Sequence, residues 1–506
     1  MNTLDRSILE SMAELTVTDM FCGAGGSSTG ALEVPGVTVK TAMNHWARAI
    51  ETHNTNHPDT DHVLADIQVT DPRYIASSDI LWASPECTNH SVAKGRKRIS
   101  NQPDLFGESL ADEAAEKSRA TMWDVPRFAE QHAYKLIITE NVVDAAKWVM
   151  FDAWLFAMEA LGYDHHIVYM NSMHAQLGGL PAPQSRDRMY VMFWLKGNPK
   201  PDFDMLMPLA HCPTCDETVR CIQSWKNPAY RWGRYKAQYA YRCPNTRCKN
   251  AIIEPGWLPA AAAIDWDLRG QRIGDRKKPL VEKTMARIRA GLEKYGKHPV
   301  SIDAVRGSQI IAPVNAEPFP TQTTSYTRSL LVPVEGREGK VAQPVEDVMR
   351  TQTTRNETGF LMPPSPAATS SLLMEYYGNG VMHPTSKAIP TISTTDRFAM
   401  ITTMRGTAPE QIQGSAAPVS DPLRTISAGG NHAGLTEWTV PEVEDCEFRM
   451  LEPYEITAGM AFPKSYIMTG NKREQVKQAG NAVTPPAARD LFIVAALSLA
   501  SRSVAV

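Results

Sequence analysis

The sequence predicts an α/β fold around a largely parallel sheet, with a large inserted region of mixed, β-rich character, and three observations carry that prediction. Short apolar runs alternate with helix-like stretches from Leu15 to Trp194, the alternation stops after Gly197, and helical character returns from Cys446 onwards. Alternating strands and helices argue for crossover connections between strands that run the same way. Strand ends followed by loops are where such folds place their chemistry.

The strand candidates are, in order, LTVTDMF, VKTAM, DILWAS, KLIITENV and MYVMFWL. Between them, ARAIETHN and DAWLFAMEALGY carry apolar residues at helical spacing. After Gly197 a cluster of cysteines and basic residues gives way to a Pro-, Thr- and Ser-rich region that runs to about Glu442. Inside it a unit recurs as PFPTQTTSYTRSLLVP, DVMRTQTTRNETGFLMP, AIPTISTTDRFAMI and DPLRTISAGGNHAGL. These read either as repeated strand-turn units presenting hydroxyls on one surface or simply as a Thr-rich β region. DRKKPLVEKTMARIRAGLEKYG reads as a basic amphipathic helix with Leu280, Met285, Ile288 and Leu292 on its buried side.

Length and composition bound the possibilities. The chain has 506 residues, enough for at least two cores, and its 43% apolar and 21% charged content exclude a chain dominated by disorder. The most apolar run, LFIVAALSLA, is about half the length needed to span a bilayer and reads as a buried C-terminal helix. The N-terminus lacks a basic start, an apolar core and a small-residue cleavage site, so the expected location is the cytoplasm, with no membrane partner.

The net charge of −3 is uninformative, but its distribution is not. From His211 to His298 there are 18 Lys or Arg against 8 Asp or Glu, a block that suits a polyanion or forms a solvated basic surface. Eight cysteines fall at Cys22, Cys87, Cys212, Cys215, Cys221, Cys243, Cys248 and Cys446. In a reducing compartment such a pattern favours metal binding or catalysis over disulfides. HCPTC and RCPNTRC place Cys212 with Cys215 and Cys243 with Cys248, paired knuckles with the spacing of a tetrahedral zinc site. Between them WKNPAYRWGRYKAQYAYR alternates aromatic and basic residues, which suits either stacking on bases or a β-hairpin with ordinary aromatic packing.

The chemistry-bearing motifs stand at strand ends. TVTDMFCGAGGSSTG runs from a strand through Gly23, Gly25 and Gly26 into a helix start, and glycines there let backbone N–H groups approach a ligand. Its spacing is neither that of a dinucleotide fingerprint nor that of a phosphate loop. Asp66 in VLADI follows a later strand end. Cys87, in DILWASPECTNHSVAKG, is either a small buried residue or a nucleophile, and Lys94, Arg96, Lys97 and Arg98 follow it closely. KLIITENVV sets Glu140 and Asn141 directly after an apolar strand, where a carboxyl group is available to protonate or bind a substrate ring. PAPQSRDRMYV sets Arg186 and Arg188 two apart, on one face if a strand begins there.

In their order along the chain, DMFCGAGG, SPEC, ENV, QSRDR and GNAVTPP resemble the C5-cytosine DNA methyltransferases, which use S-adenosylmethionine. The resemblance covers about Thr16 to Trp194 and Phe448 to Leu491. It implies a Rossmann-like class I methyltransferase sheet interrupted by a target-recognition domain. The domains expected are a catalytic part at 14–200, a recognition region at 201–442 with its cysteine-rich insert at 211–250, and a return to the catalytic domain at 443–506.

By the same resemblance, Cys87 adds to C6 of a cytosine flipped out of double-stranded DNA, Glu140 binds N3 and the exocyclic amine, and Arg186 and Arg188 hold the nucleotide or support the backbone. Phe21, Gly23, Gly25, Gly26, Asp66, Ile67 and Asn481 are implied at the cofactor. The family's nucleophile usually follows two prolines and precedes a Gln, whereas here Pro85, Glu86, Cys87 and Thr88 stand in line. Where the family has a ribose-binding Glu, this chain offers Asn44 or His45. The expected protein is a monomer holding structural zinc. A tRNA-cytosine enzyme and a catalytically silent DNA-binding relative are the alternatives.

Overall fold

The computed structural model describes residues 14–85, 120–265, 267–280, 348–350 and 443–503, with a few positions in 7–10 and 282–289 and short strands between 301 and 435. Cys87, its neighbours Glu86 and Thr88, the basic residues 94–98, Leu292 and most of the Thr-rich units lie outside the described residues. The chain divides into two compact units, Met1–Leu258 with Val348–Arg355 and Pro453–Val506, and Pro259–Asp347 with Asn356–Glu452. The first unit runs on to Leu258, the cysteine-rich insert sharing its core, and its C-terminal part begins at Pro453.

The first unit is built on strands β1 (Leu15–Met20), β2 (Val37–Asn44), β3 (Asp61–Leu64), β4 (Ile80–Ala83), β5 (Leu136–Asn141) and β6 (Tyr163–Asn171). A two-residue strand β7 (Gln184–Ser185) precedes β8 (Asp187–Leu195). They form one seven-stranded sheet in the order β3-β2-β1-β4-β5-β8-β6, with β7 outside it. The first five strands are parallel, and β8 runs antiparallel to both β5 and β6. Helices α1 (Gly26–Leu32), α2 (Ala47–Asn56), α3 (Asp124–His132) and α4 (Phe151–Ala160) connect the strands.

Both faces of the sheet are covered, which is why its central strands read as continuous apolar runs. Alternate side chains serve the two cores. Leu81, Ile137, Val191 and Phe193 join Phe128 and Trp154 on one face. Ile80, Trp82, Ile138, Tyr190 and Met192 join Phe492 and Leu491 on the other. The last two belong to the C-terminal helix α7 (Pro485–Ser503), which follows α5 (Pro453–Gly459) and α6 (Lys472–Asn481).

Phe492 stacks on Trp82 at 5.3 Å, so the C-terminus fills a core that the N-terminal strands begin. By length and composition the stretch Lys472–Ala500 would cross a bilayer, a longer run than the sequence count allowed, but 94% of its most apolar window is buried in the protein. Burial on all sides explains that apolarity without a membrane.

In the second unit an antiparallel sheet takes the order Gln271–Arg272, Glu447–Met450, Thr358–Met362, Leu330–Pro333 and Gln343–Pro344. The apolar ends of the first two recurring units, LLVP and TGFLM, are neighbours in it. Ile288 packs with Ile273, Val443, Cys446 and Phe448, and Leu280 and Met285 pack against them, so three of the four residues expected on the buried side of that segment do meet a core.

Candidate active site and cysteine cluster

The C-terminal ends of the five parallel strands lie side by side, and nearly all the chemistry-bearing residues emerge there. In this sheet the strand order reverses between β1 and β4, which opens a crevice suited to a nucleotide-like ligand. After β1 the chain turns sharply: Phe21 has φ +61°, Gly23 +53° and Gly25 +84°. Among the described residues a side chain at Gly23 would meet only the Phe21 carbonyl, at 4.0 Å, which leaves room for a ligand to approach that backbone.

Gly26 and Gly30 have a different purpose. A Cβ on Gly26 would lie 1.9 Å from the Val483 carbonyl oxygen and one on Gly30 2.4 Å from that of Pro485. Their missing side chains let the GNAVTPP segment dock directly on the start of α1.

Asn44 ends β2 buried, its side chain accepting from the Trp46 N–H at 2.9 Å, while His45 beside it is exposed. Beyond β3, Asp66 is exposed and Ile67 buried. Arg127 of α3 fixes that turn by donating to the carbonyls of Ile67 and Thr70. Asn481, at the last position of α6, is exposed.

Two residues the sequence reading passed over lie beneath this crevice. Asp19 on β1 is buried and accepts from the hydroxyls of Ser27 and Ser28, both at 2.6 Å. Burial, only partly offset by those hydroxyls, pushes its carboxyl up to about 6. Tyr466 reaches from the C-terminal segment to donate to the Ala24 carbonyl and lies 3.3 Å from His57 Nε2. A buried strand Asp before Ser-Ser at a helix start was a readable signal for the first. Nothing local marked Tyr466.

On the other side of the switch, Glu140 at the end of β5 receives the Arg188 guanidinium at 2.9 Å. Its neighbour Asn141 donates to the carbonyl of Pro85, the last described residue before Cys87, at 3.4 Å. The ends of β4, β5 and β8 therefore converge. Arg186 departs from the expected shared face. It lies outside β8, is buried, and donates to the carbonyls of Gly480 at 3.3 Å and Ala482 at 3.0 Å. Its guanidinium supports the GNAV backbone, whereas that of Arg188 joins Glu140. The recurring unit MRTQ sends Met349–Arg350 into this same unit as a strand parallel to β7, directly before the arginines.

The cysteine module adds β9 (Leu209–Cys212), β10 (Glu217–Arg220), β11 (Ile222–Trp225) and β12 (Tyr239–Arg242) as two antiparallel pairs. The sulfurs of Cys212, Cys215, Cys243 and Cys248 all lie within 4.8 Å of one another. Ligands of a tetrahedral zinc-thiolate site sit roughly 3.8 Å apart, given bonds of about 2.3 Å, so the cluster fits the metal. Left-handed residues shape both knuckles, Asp216 at φ +56° and Lys249 at +55°. Cys221 is buried apart from the cluster, its thiol pushed up to about 11 by desolvation.

The aromatic residues between the knuckles pack largely inward, as the hairpin alternative anticipated. Trp225 meets Tyr239 at 5.0 Å and Tyr169 of β6 at 5.5 Å, and Tyr235 and Tyr241 enclose the buried His174. Trp232 Nε1 donates to the Val143 carbonyl at 2.8 Å, Arg234 pairs with Asp144, and the Tyr235 N–H donates to Asp187 at 3.0 Å.

The mostly parallel sheet, its switch-point crevice and the open glycine turn define a Rossmann-like nucleotide-cofactor domain. A family model described as C-5 cytosine-specific DNA methylase matches residues 15–227 and 345–494, and the chain belongs to that family. The seven-stranded, mostly parallel sheet has the character that the resemblance implied. Type II methyltransferase M.AgeI of Thalassovita gelatinovora is 26% identical over 185 residues, which are 34% of this chain and 38% of that relative's length. Similar solved structures include the methyltransferase EhMeth of Entamoeba histolytica, 11% identical with a TM-score of 0.43, covering 95% of this chain and 98% of that one. Another is a putative DNA modification methyltransferase encoded within an E. coli prophage, 13% identical with a TM-score of 0.42 and the same coverage.

Proposed function

We propose that this protein methylates C5 of cytosine in double-stranded DNA, with S-adenosylmethionine as donor and Cys87 as nucleophile. The observation that carries the reading is the Glu140–Arg188 pair at the end of β5, beside the strand end that leads through Pro85 to Cys87.

Cytosine C5 is a poor nucleophile. Addition of the Cys87 thiolate to C6 brings a negative charge onto the ring, and a proton delivered to N3 by the Glu140 carboxyl group, which also accepts from the exocyclic amine, neutralises it and leaves an enamine whose C5 carries the electron pair. Arg188 holds the Glu140 carboxyl group in place. The donor supplies an electrophilic sulfonium methyl group. Loss of the C5 proton then expels the thiolate and restores the aromatic ring. A base stacked in a duplex hides C6, so the target must leave the helix for this geometry to operate.

The crevice residues fit the donor by type. Phe21 offers a ring, Gly23 an open backbone, Asn44 and His45 hydrogen-bonding groups, and Asp66 with Ile67 a polar and an apolar edge. We assign the four-cysteine cluster to structural zinc on the spacing of its sulfurs.

A duplex carrying 5-fluorocytosine, which cannot release the group at C5, tests the mechanism. With donor present it should become covalently trapped on the protein, with the adduct mapped to Cys87, and Cys87→Ser should abolish trapping. Labelled-methyl transfer to tRNA and not to DNA would overturn the choice of substrate.

A further inference from the structure

We infer that metal bound by Cys212, Cys215, Cys243 and Cys248 positions the Glu140–Arg188 pair, through Trp232, Arg234 and Tyr235 of the segment between the two knuckles. The inference rests on the zinc reading above and extends it from a local staple to a determinant of catalysis.

The flanks of the catalytic pair are held by one short segment. Val143, three residues beyond Glu140, accepts from Trp232 Nε1 at 2.8 Å, and the next residue, Asp144, pairs with Arg234. Asp187, the residue before Arg188, accepts from the Tyr235 N–H at 3.0 Å. Lys147, at the end of the same turn, lies over the Trp232 ring at 3.6 Å. Thus both strand ends that carry the pair are tied to three residues standing between Cys215 and Cys243.

That segment has little regular structure of its own. Its flanking strands β11 and β12 pair over only four residues each, and a two-stranded ribbon of that length is marginal alone. At the far end, the knuckles meet through Asn245 and Arg247, which bond Glu217, and through the Arg247 contact to the Cys215 carbonyl. These are exposed links of small worth. Four thiolates on one metal close the loop from Cys215 to Cys243 far more firmly, because binding energy at a structural zinc site is folding energy for the segment it encloses. With the loop closed, the indole, guanidinium and backbone N–H present to the catalytic flanks as one piece. Trp232, Arg234 and Tyr235 are thereby positioning residues, acting through Val143, Asp144 and Asp187.

The test uses the full-length protein. Metal content by mass spectrometry should give about one zinc per chain. Zinc is then stripped with a chelator, and hydrogen exchange is followed alongside donor binding and turnover. Amides in 140–147 and 184–190 should exchange at least tenfold faster, β1 and β2 should be unchanged, kcat should fall at least tenfold with the donor Kd within twofold, and added zinc should restore all of these. Trp232→Phe, which keeps an aromatic ring and all four cysteines, should retain zinc yet loosen 140–147. Absence of bound metal would overturn the zinc reading and this inference together while leaving methyl transfer intact. Bound zinc whose removal leaves 140–147 and 184–190 unchanged, or speeds exchange throughout the unit, would overturn the positioning role alone.

Discussion

At the scale of single residues, two carboxyl groups carry opposite assignments. Glu140, paired with Arg188, is the group we propose to meet substrate. Glu140→Gln keeps the shape but removes the charge facing Arg188, and it should lower kcat by about 100- to 10,000-fold, the usual weight of a positioned acid. Donor affinity should be unchanged, and labelled-methyl transfer with calorimetry checks both. Asp19 is structural: desolvation lifts it from the ordinary 3.8 to about 6.

A folded value above the unfolded one means that Asp19 favours folding most fully below its unfolded pKa, and that this contribution is lost as pH rises through 6. The stability of the wild type relative to Asp19→Asn should therefore fall by about 1 kcal/mol between pH 5 and pH 7. Urea midpoints at the two values measure it, and parallel profiles would sink the assignment. Glu140 was readable in the sequence because it follows four strand residues. The divergence of Arg186 from Arg188 was not, since only the folded chain brings Gly480 and Ala482 to the guanidinium of Arg186.

At the scale of elements, α1 and GNAVTPP meet through close backbone contact at Gly26 and Gly30. Gly26→Ala would drive a methyl group into the Val483 carbonyl, and backbone on both sides leaves no flexible atom to yield. A cost of about 1–3 kcal/mol or more follows from overpacking of that kind, and donor binding should weaken with it. Thermal unfolding and calorimetry on the variant check both effects. The strands were legible because period-two burial on both faces writes a continuous apolar run. The gathering of Cys212, Cys215, Cys243 and Cys248 into one cluster was legible by spacing, but the attachment of their module to β5 and β8 was not. Val143 and Asp187 show no local mark of the tryptophan and tyrosine that reach them.

At the scale of the molecule, the chain leaves its first compact unit at Leu258 and completes it with Pro453–Val506. Phe492 lies flat against Trp82, more than four hundred residues earlier, and is fully buried. Phe492→Ala should cost about 3–5 kcal/mol, the loss expected when a buried ring leaves a cavity, and denaturant unfolding of the full chain measures it. The sequence by itself determined the sheet class, the ordered motifs, the four-sulfur spacing and the apolar C-terminal helix, because each is written in neighbours or in short periodic patterns. Only the tertiary structure decided which arginine meets the carboxylate, that GNAV seats on a glycine helix start, and that the segment between the knuckles holds the residues flanking Glu140 and Arg188. Those contacts join residues tens to hundreds of positions apart, and such pairs meet only when sheet order and packing bring their strand ends together.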